Sequence, residues 1–321
     1  MKKIILVGCG NIGSRHLQAI VKLKNAISVE IVEPSVKAQR LAKSRLNKIK
    51  YNKTAHKLFW YKSLSEIKNQ NDLVIVATNS QGRINVIQKL LNLGHKRFII
   101  EKIVCQSSDE YKKILLLMKN SHAKGWVNTN RRYFEAYQNI KEKFVDSEYI
   151  HLSVFASNSD LGTNAIHFLD LFSWLAEDYK IKLNGEFLVN QIFENKKGKL
   201  YKKFIGTIIG FTKNSFVSLT FSPGKKESFL IKIFGEDRVA SINELEEKGY
   251  FINFKGKVKL NAKFGHTSEL TTKIIQDIFL KDDCLLPTLK DSSSLHKELF
   301  RIFNKHIKKI LNKDVKLCPI T

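Results

Sequence analysis

The residues with the clearest chemical purpose come first: Gly8-Cys9-Gly10-Asn11-Ile12-Gly13, a GxGxxG cluster, and Glu33 about 20 residues on. In that spacing Gly8 allows a tight turn, Gly10 lets backbone N–H groups come close to a pyrophosphate, and Gly13 lets a helix pack tightly on a strand. Asn11 and Ile12 lie in the same turn, which leads to the N-terminus of that helix, whose free N–H groups and dipole favour an anion. Glu33 is placed to accept hydrogen bonds from a ribose 2′-OH and to repel a 2′-phosphate, and Pro34-Ser35 brings no arginine beside it. The chemistry is that of a dinucleotide site with NAD expected over NADP. A glycine-rich turn in some other α/β protein would leave the position of Glu33 to chance.

Such a site works only if a strand enters the glycines, a helix leaves them and a second strand ends at the acid. Ile4-Ile5-Leu6-Val7 is the apolar run that enters; Leu17, Ile20, Val21 and Leu23 recur at helical spacing; Ile27, Val29 and Ile31 alternate up to Glu33. Strand and helix then alternate to about residue 122. A helix spans Val36 to Leu46, a short strand holds Phe59-Trp60-Tyr61, and Ser63 with Glu66 forms a capping box predicted to open a helix. Leu73 to Thr78 is a continuous apolar run of the kind a parallel strand buried on both faces requires. A helix to Leu93 and a strand Phe98-Ile99-Ile100 follow. Right-handed crossovers turn this pattern into a doubly wound parallel sheet that binds ligands at the carboxyl ends of its strands. Ala77, Thr78, Asn79, Glu101 and Lys102 fall at such ends and are assigned to the cofactor site.

The second half reads differently. Strands are predicted at Ile150 to Phe155, Phe187 to Phe193, Phe204 to Phe211, Phe216 to Phe221, Phe229 to Phe234, Val239 to Ile242 and Tyr250 to Phe254, joined by short turns. Helices are predicted at Asn164 to Leu175, Ser268 to Phe279 and Ser293 to Leu311. The expected fold is α/β: an N-terminal Rossmann domain over 1–122, then an α+β domain over 123–321 with a large open, mostly antiparallel sheet. Its closing helices are free to pack back on the first domain.

Composition narrows the class. With 43% hydrophobic and 26% charged residues, the 321-residue chain reads as globular. No apolar run approaches the roughly 18 to 20 residues of a membrane span. Lys2-Lys3 before Ile4 mimics a lipoprotein leader, but the apolar stretch is too short for one. Cys9, Cys105, Cys284 and Cys318 lie far apart without a CxxC pair, which argues against disulfides and metal and for a reducing cytoplasm. Cys9, at a helix start, is read as a small filler of the turn rather than an activated thiol. The net charge of +25 admits a nucleic-acid partner, yet the lysines are scattered and form no tail, so neither nucleic acid nor membrane is expected. An anionic small molecule suits the charge better.

Gly8 to Gly13, Ala77-Thr78-Asn79-Ser80, Glu101-Lys102, Asn130-Arg131-Arg132-Tyr133, and Gly162 with His167-Phe168-Leu169-Asp170-Leu171 together resemble the Gfo/Idh/MocA oxidoreductases, in order and over nearly the whole chain. The resemblance implies an NAD(P)-binding Rossmann domain and a sheet domain that carries a sugar, cyclitol or nucleotide sugar to the nicotinamide. It implies Lys102 and His167 as catalytic residues, and Thr163, Asn164, Asp170 and Arg131 as substrate contacts at a site between the domains. The open face of the second domain's sheet leads one to expect a homodimer or homotetramer. Two departures stand out: Ile103 follows Lys102 where the family has proline, and Thr163 then Asn164 stand where many members have aspartate four residues before the histidine.

Taken alone, His167 with Asp170 on one helix face also describes a core-edge histidine held by its carboxylate, and Lys102 a solvated lysine. His56, His95, His122, His151, His266, His296 and His306 are read as ordinary residues. Besides an NAD-dependent oxidoreductase, two other readings remain: a dinucleotide-binding protein of the same fold without redox turnover, and a nucleic-acid-binding protein motivated only by the charge.

Overall fold

A computed structural model describes residues 1–68, 70–195, 198–264 and 267–321; His266 lies outside them. The chain divides into two compact units, Met1–Cys105 with Asp109–Asn128 and Gly265–Leu289, and Gln106–Ser108 with Thr129–Phe264 and Lys290–Thr321.

The first unit is built on β1 (Lys2–Val7), α1 (Gly13–Ile20), β2 (Ile27–Val32), α2 (Val36–Leu46), β3 (Lys57–Tyr61), β4 (Leu73–Val76), α3 (Arg83–Asn92), β5 (Arg97–Ile100), α4 (Ser108–Asn120) and β6 (Lys124–Val127). Its six strands are all parallel, in the order β3-β2-β1-β4-β5-β6. The centre falls where the sequence is apolar without interruption: Ile4 to Leu6 and all of β4 are fully buried. Each such side chain contributes about 1.5–3 kcal/mol over its exposed state, so no polar residue competes for these places. Ser35 caps α2 by accepting the Ala38 N–H at 3.3 Å. The Ser63–Glu66 capping box is made, but it closes a single 3-10 turn, Leu64–Glu66, instead of opening a longer helix. The next residue, Ile67, turns extended and is buried.

The second unit contains α5 (Glu135–Lys143), β7 (His151–Ser157), α6 (Leu161–Leu175), β8 (Lys182–Asn184), β9 (Phe193–Asn195), β10 (Gly198–Lys203), β11 (Gly206–Phe211), β12 (Phe216–Ser222), β13 (Ser228–Phe234), β14 (Val239–Asn243), β15 (Lys248–Asn253) and β16 (Gly256–Asn261). Eight of these strands form one sheet in the order β16-β15-β14-β13-β7-β12-β11-β8, antiparallel except for β7 with β12. The strand predicted over Phe187 to Phe193 is not continuous: only an isolated bridge, Leu188 with Gly206, falls there before β9 begins. Period-two burial divides the sheet, as in β13, where Phe229, Ile231 and Ile233 are buried between less buried neighbours. One face takes α6, with Phe168 against Phe221 and Phe229 at ring distances of 6.3 and 5.8 Å. The other exposes Phe155, Phe211, Phe216, Leu230, Tyr250 and Ile252.

Two helices close the chain. α7 (Thr267–Lys281) belongs to the first unit and packs on α1, where Thr272 Oγ1 donates to the Ala19 carbonyl at 2.8 Å. From its second residue on, α8 (Leu289–Leu311) belongs to the second unit, where Phe303 stacks on Phe204 at 4.3 Å. Among the described residues no helix is long and apolar enough to cross a membrane.

Candidate functional site

The glycine turn has the geometry its spacing predicts. Gly8 takes a positive φ of 84°, and a Cβ there would meet the Ala77 carbon and the Thr78 nitrogen at 2.9 Å, so the turn lies against the carboxyl end of β4. A Cβ on Gly13 would fall 1.9 Å from the Gly8 carbonyl oxygen. Gly10 differs: nothing lies within 4 Å of its Cβ position. Protein packing therefore explains two of the glycines, and the third suits a ligand that approaches the backbone closely. Asn11 and Ile12 are exposed beside it, and Thr78 Oγ1 is buried without a hydrogen-bond partner among the described residues. The turn, its open glycine and this orphan hydroxyl fit a bound dinucleotide.

Glu33 ends the second strand as expected, buried, and binds the turn itself. Its Oε2 accepts the Cys9 N–H at 2.7 Å and its Oε1 the Ser35 N–H at 2.9 Å. A carboxylate oxygen has two lone pairs, so each still has capacity for a ribose hydroxyl. Burial, with Glu33 adding, pushes the Cys9 thiol up to about 12, the opposite of an activated cysteine. Arg45 carries no local signal for this place. From the end of α2 it reaches back, Nη1 donating to the Asn11 carbonyl at 2.7 Å and to Ser14 Oγ at 2.6 Å.

At the end of β5, Glu101 is buried and accepts from His16 Nε2 at 2.8 Å and from Asn128 Nδ2. His16 Nδ1 lies 3.0 Å from Thr271 Oγ1. Burial pushes the Glu101 carboxyl up, but the His16 and Asn128 hydrogen bonds and the nearby charges of His16 and Lys102 outweigh it and hold it below its ordinary value. Lys102 follows, half-buried, and the Lys102–Ile103 peptide is cis. Arg83, buried at the start of α3, donates to the carbonyls of Thr78, Glu101 and Ile103 and so ties the ends of β4 and β5 together. Neither His16 nor Arg83 stood out in the sequence, since their partners lie far along the chain.

In the second unit, Asp160 caps α6: Oδ1 accepts the N–H groups of Gly162 at 3.0 Å and Phe204 at 2.8 Å, and Oδ2 accepts the Thr163 hydroxyl at 2.6 Å. Asn164 Nδ2 donates to Ser159 Oγ at 2.9 Å. From Leu161 to Ser173, all residues are buried except Thr163, Asn164 and His167. These form a polar window on an otherwise covered helix.

Asp170 and Arg131, expected to touch substrate, are committed elsewhere. Asp170 is fully buried (0% exposed), and both its oxygens accept from Arg132, Oδ2 from Nε at 2.9 Å; Arg132 Nη2 also donates to Tyr179 at 2.5 Å. Burial alone would lower the Arg132 pKa, and the adjoining Asp170 carboxylate raises it instead. Arg131 forks onto Glu244 with two bonds of 2.9 Å and lies 4.1 Å over the Phe168 ring. The two arginines thus grip α6 immediately after His167. Among the described residues no cluster of His, Cys, Asp or Glu could hold a metal ion.

A parallel sheet in this strand order, a GxGxxG turn leading into a helix and an acid closing the second strand define an NAD-binding Rossmann fold. Residues 2–129 match the model of the oxidoreductase family with an NAD-binding Rossmann fold, Gfo/Idh/MocA. No curated protein matches the chain. Among solved structures it is similar to an oxidoreductase from Agrobacterium radiobacter in complex with NAD+, L-tartaric acid and magnesium, with 15% identity, TM-score 0.73 and 98% of each chain covered. It is also similar to UDP-N-acetylglucosamine 3-dehydrogenase from Acidithiobacillus ferrooxidans, with 14% identity, TM-score 0.72, and 97% of this chain and 99% of that one covered. A third is a biliverdin reductase from Synechocystis in complex with biliverdin and NADP+, with 12% identity, TM-score 0.69, and 94% and 97% covered. These likenesses establish a fold shared along both units.

Proposed function

We propose that the chain is an NAD-dependent oxidoreductase that exchanges a hydride between nicotinamide and a carbinol or carbonyl of a sugar, cyclitol or nucleotide-sugar derivative. The observation that carries this reading is the window on α6: a histidine with two hydrogen-bonding neighbours, Thr163 and Asn164, left accessible where every other side chain of the first three turns is buried. Gly8, Gly10, Asn11, Ile12, Gly13, Glu33, Ala77, Thr78, Asn79, Glu101 and Lys102 would hold the dinucleotide, which supplies hydride exchange when bound. Lys102 and His167 handle the proton at the substrate oxygen, with His167 as the transfer group because an imidazole can both take up and give a proton. Thr163 and Asn164 contact the substrate. Arg131 and Asp170 act from behind, through Phe168 and the Arg132 pair, and hold the helix that presents His167.

The similarity to a UDP-N-acetylglucosamine dehydrogenase supports a nucleotide sugar, and the net charge of +25 suits such an anion. The apolar outer face of the second sheet supports self-association into a homodimer or homotetramer, tested by molar mass in solution. The function is tested by mass spectrometry of co-purified ligand, then turnover of sugar, cyclitol and nucleotide-sugar candidates followed by NADH absorbance. Tight NADH binding with no turnover on any of them points to a dinucleotide-binding protein without redox chemistry.

A further inference from the structure

We propose that a second site, on α8 of the second unit and apart from the glycine turn, binds a small tetrahedral oxyanion: free phosphate or the phosphate of a small ester. The pocket lies between the segment Leu183–Glu186, at and after β8, and one face of α8, and has a volume of about 270 Å³. That is below the roughly 300–1,000 Å³ of sites for drug-sized ligands, so the pocket suits an ion better than a nucleotide. Arg301, Lys305 and Lys309 line it against one lining carboxylate, Glu186. Their four-residue spacing puts all three on one helix face.

The cations are only partly neutralised. Lys305 Nζ donates to Glu186 Oε1 at 2.6 Å. Arg301 gives Nε to Glu298 Oε1 at 3.1 Å, and Nη2 to Glu298 Oε2 at 2.7 Å and to the Leu183 carbonyl. Arg301 Nη1 and Lys309 Nζ donate to nothing among the described residues.

His306 supplies an independent observation. It lines the pocket, is only 6% exposed, and its buried Nε2 has no hydrogen-bond partner among the described residues. The Val189 carbonyl lies on the side of the ring that favours its protonated form. An unprotonated imidazole nitrogen carries a bare lone pair and becomes a donor only on protonation. Burial lowers the His306 pKa, the Val189 carbonyl opposes this, Lys309 from the same helix adds to it, and Glu186 from the loop opposes. An oxyanion would accept from Nε2, Lys309 and Arg301 together and reverse that balance.

The pocket also adjoins the start of α6. The Phe204 ring lies 6.2 Å from that of His306, while its backbone N–H donates to Asp160 Oδ1 at 2.8 Å and its carbonyl accepts the Leu161 N–H at 3.0 Å. An occupant would therefore press on the residue that joins α8 to the cap beneath Thr163.

Sulfate is the first probe, since its charge is constant across the working pH range. The protein is labelled with 15N-histidine, and the His306 ring resonances, assigned by their loss in His306→Phe, are followed during titration. The expected result is a saturable shift at Nε2, about tenfold tighter near pH 6 than near pH 8, and weakened about fivefold or more by Lys309→Met. Inorganic phosphate and glycerol phosphate, titrated separately, distinguish a free ion from an ester by which binds tighter. A His306 signal that stays still with all three anions overturns the proposal. So does a shift unchanged by Lys309→Met and Arg301→Gln, which would be an effect of ionic strength.

Discussion

Gly13 touches the Gly8 backbone so closely that a methyl group on Gly13 would sit 1.9 Å from the Gly8 carbonyl oxygen, whereas the same group on Gly10 would meet nothing within 4 Å. Gly13→Ala must therefore displace backbone, at a cost of about 1–3 kcal/mol or more, and lower the melting temperature. Gly10→Ala should melt like the parent and still lose NADH affinity, because its methyl group projects where the pyrophosphate approaches. Thermal melts paired with NADH fluorescence titrations separate the two effects. Unaltered NADH binding by a stable Gly10→Ala protein would move the dinucleotide off this turn.

Glu33 would meet a ribose 2′-hydroxyl with acceptors and a 2′-phosphate with like charge, so NADH is expected to bind about tenfold or more tighter than NADPH. Arg45 is a cation held at the same turn, but its Nη1 is engaged by Asn11 and Ser14. Parallel titrations of both reduced cofactors settle the preference, and Glu33→Ala should narrow it. Equal affinity in the parent would show that the surrounding cations override the acid.

Lys102→Met and His167→Ala should each reduce kcat by about 10²-fold or more on the verified substrate, with NADH affinity little changed. Asn164→Ala should raise KM, and Asn164→Asp should alter the pH profile more than cofactor binding. Near-full turnover in both the lysine and the histidine variants would remove them from the chemistry.

The Arg132–Asp170 pair is buried and doubly bonded, so breaking it from one side leaves an uncompensated charge. Asp170→Leu should cost about 3–5 kcal/mol in denaturant unfolding, and Arg132→Met with Asp170→Leu should recover much of that. If the double variant folds but turns over slowly, the pair's task is to hold α6 in place. A single variant as stable as the parent would show that the pair is not closed in solution.

Glu101 carries a folded-state pKa below its ordinary value, so its contribution is complete above about pH 4.3 and is lost as pH falls through the depressed folded value. Unfolding free energies measured from about pH 6 down to pH 3 should fall less steeply for Glu101→Gln than for the parent. Parallel curves would mean that the His16 and Asn128 bonds add nothing to the ionised form.

The sequence made the glycine turn legible because every part of that motif is local: run, turn, helix and acid lie within one βαβ stretch. The polar window of α6 was legible only in part: helical spacing put His167 on a polar face, while the family resemblance pointed to Thr163 and Asn164. Asp170 shows where spacing stops being informative. It shares the face of Thr163 and His167, but a turn further along the helix Arg132, itself bound to Tyr179, takes it, and such pairing depends on residues distant in sequence. Arg83, Arg45 and His16 escaped notice because they act on backbone or side chains that only the folded sheet brings near. The strand expected at Phe187 to Phe193 followed hydrophobicity, yet Phe187 and Val189 remain exposed there.

The helix that covers α1 has a consequence for the order of synthesis. All six strands of the first sheet are complete by Val127, yet the hydroxyls that meet His16 and the Ala19 carbonyl belong to Thr271 and Thr272. As the chain leaves the ribosome, the N-terminal sheet must wait with one helix uncovered while the whole eight-stranded sheet is translated. A release of the chain before α7 would leave that sheet assembled in outline and open on one side, a natural substrate for chaperones and proteases.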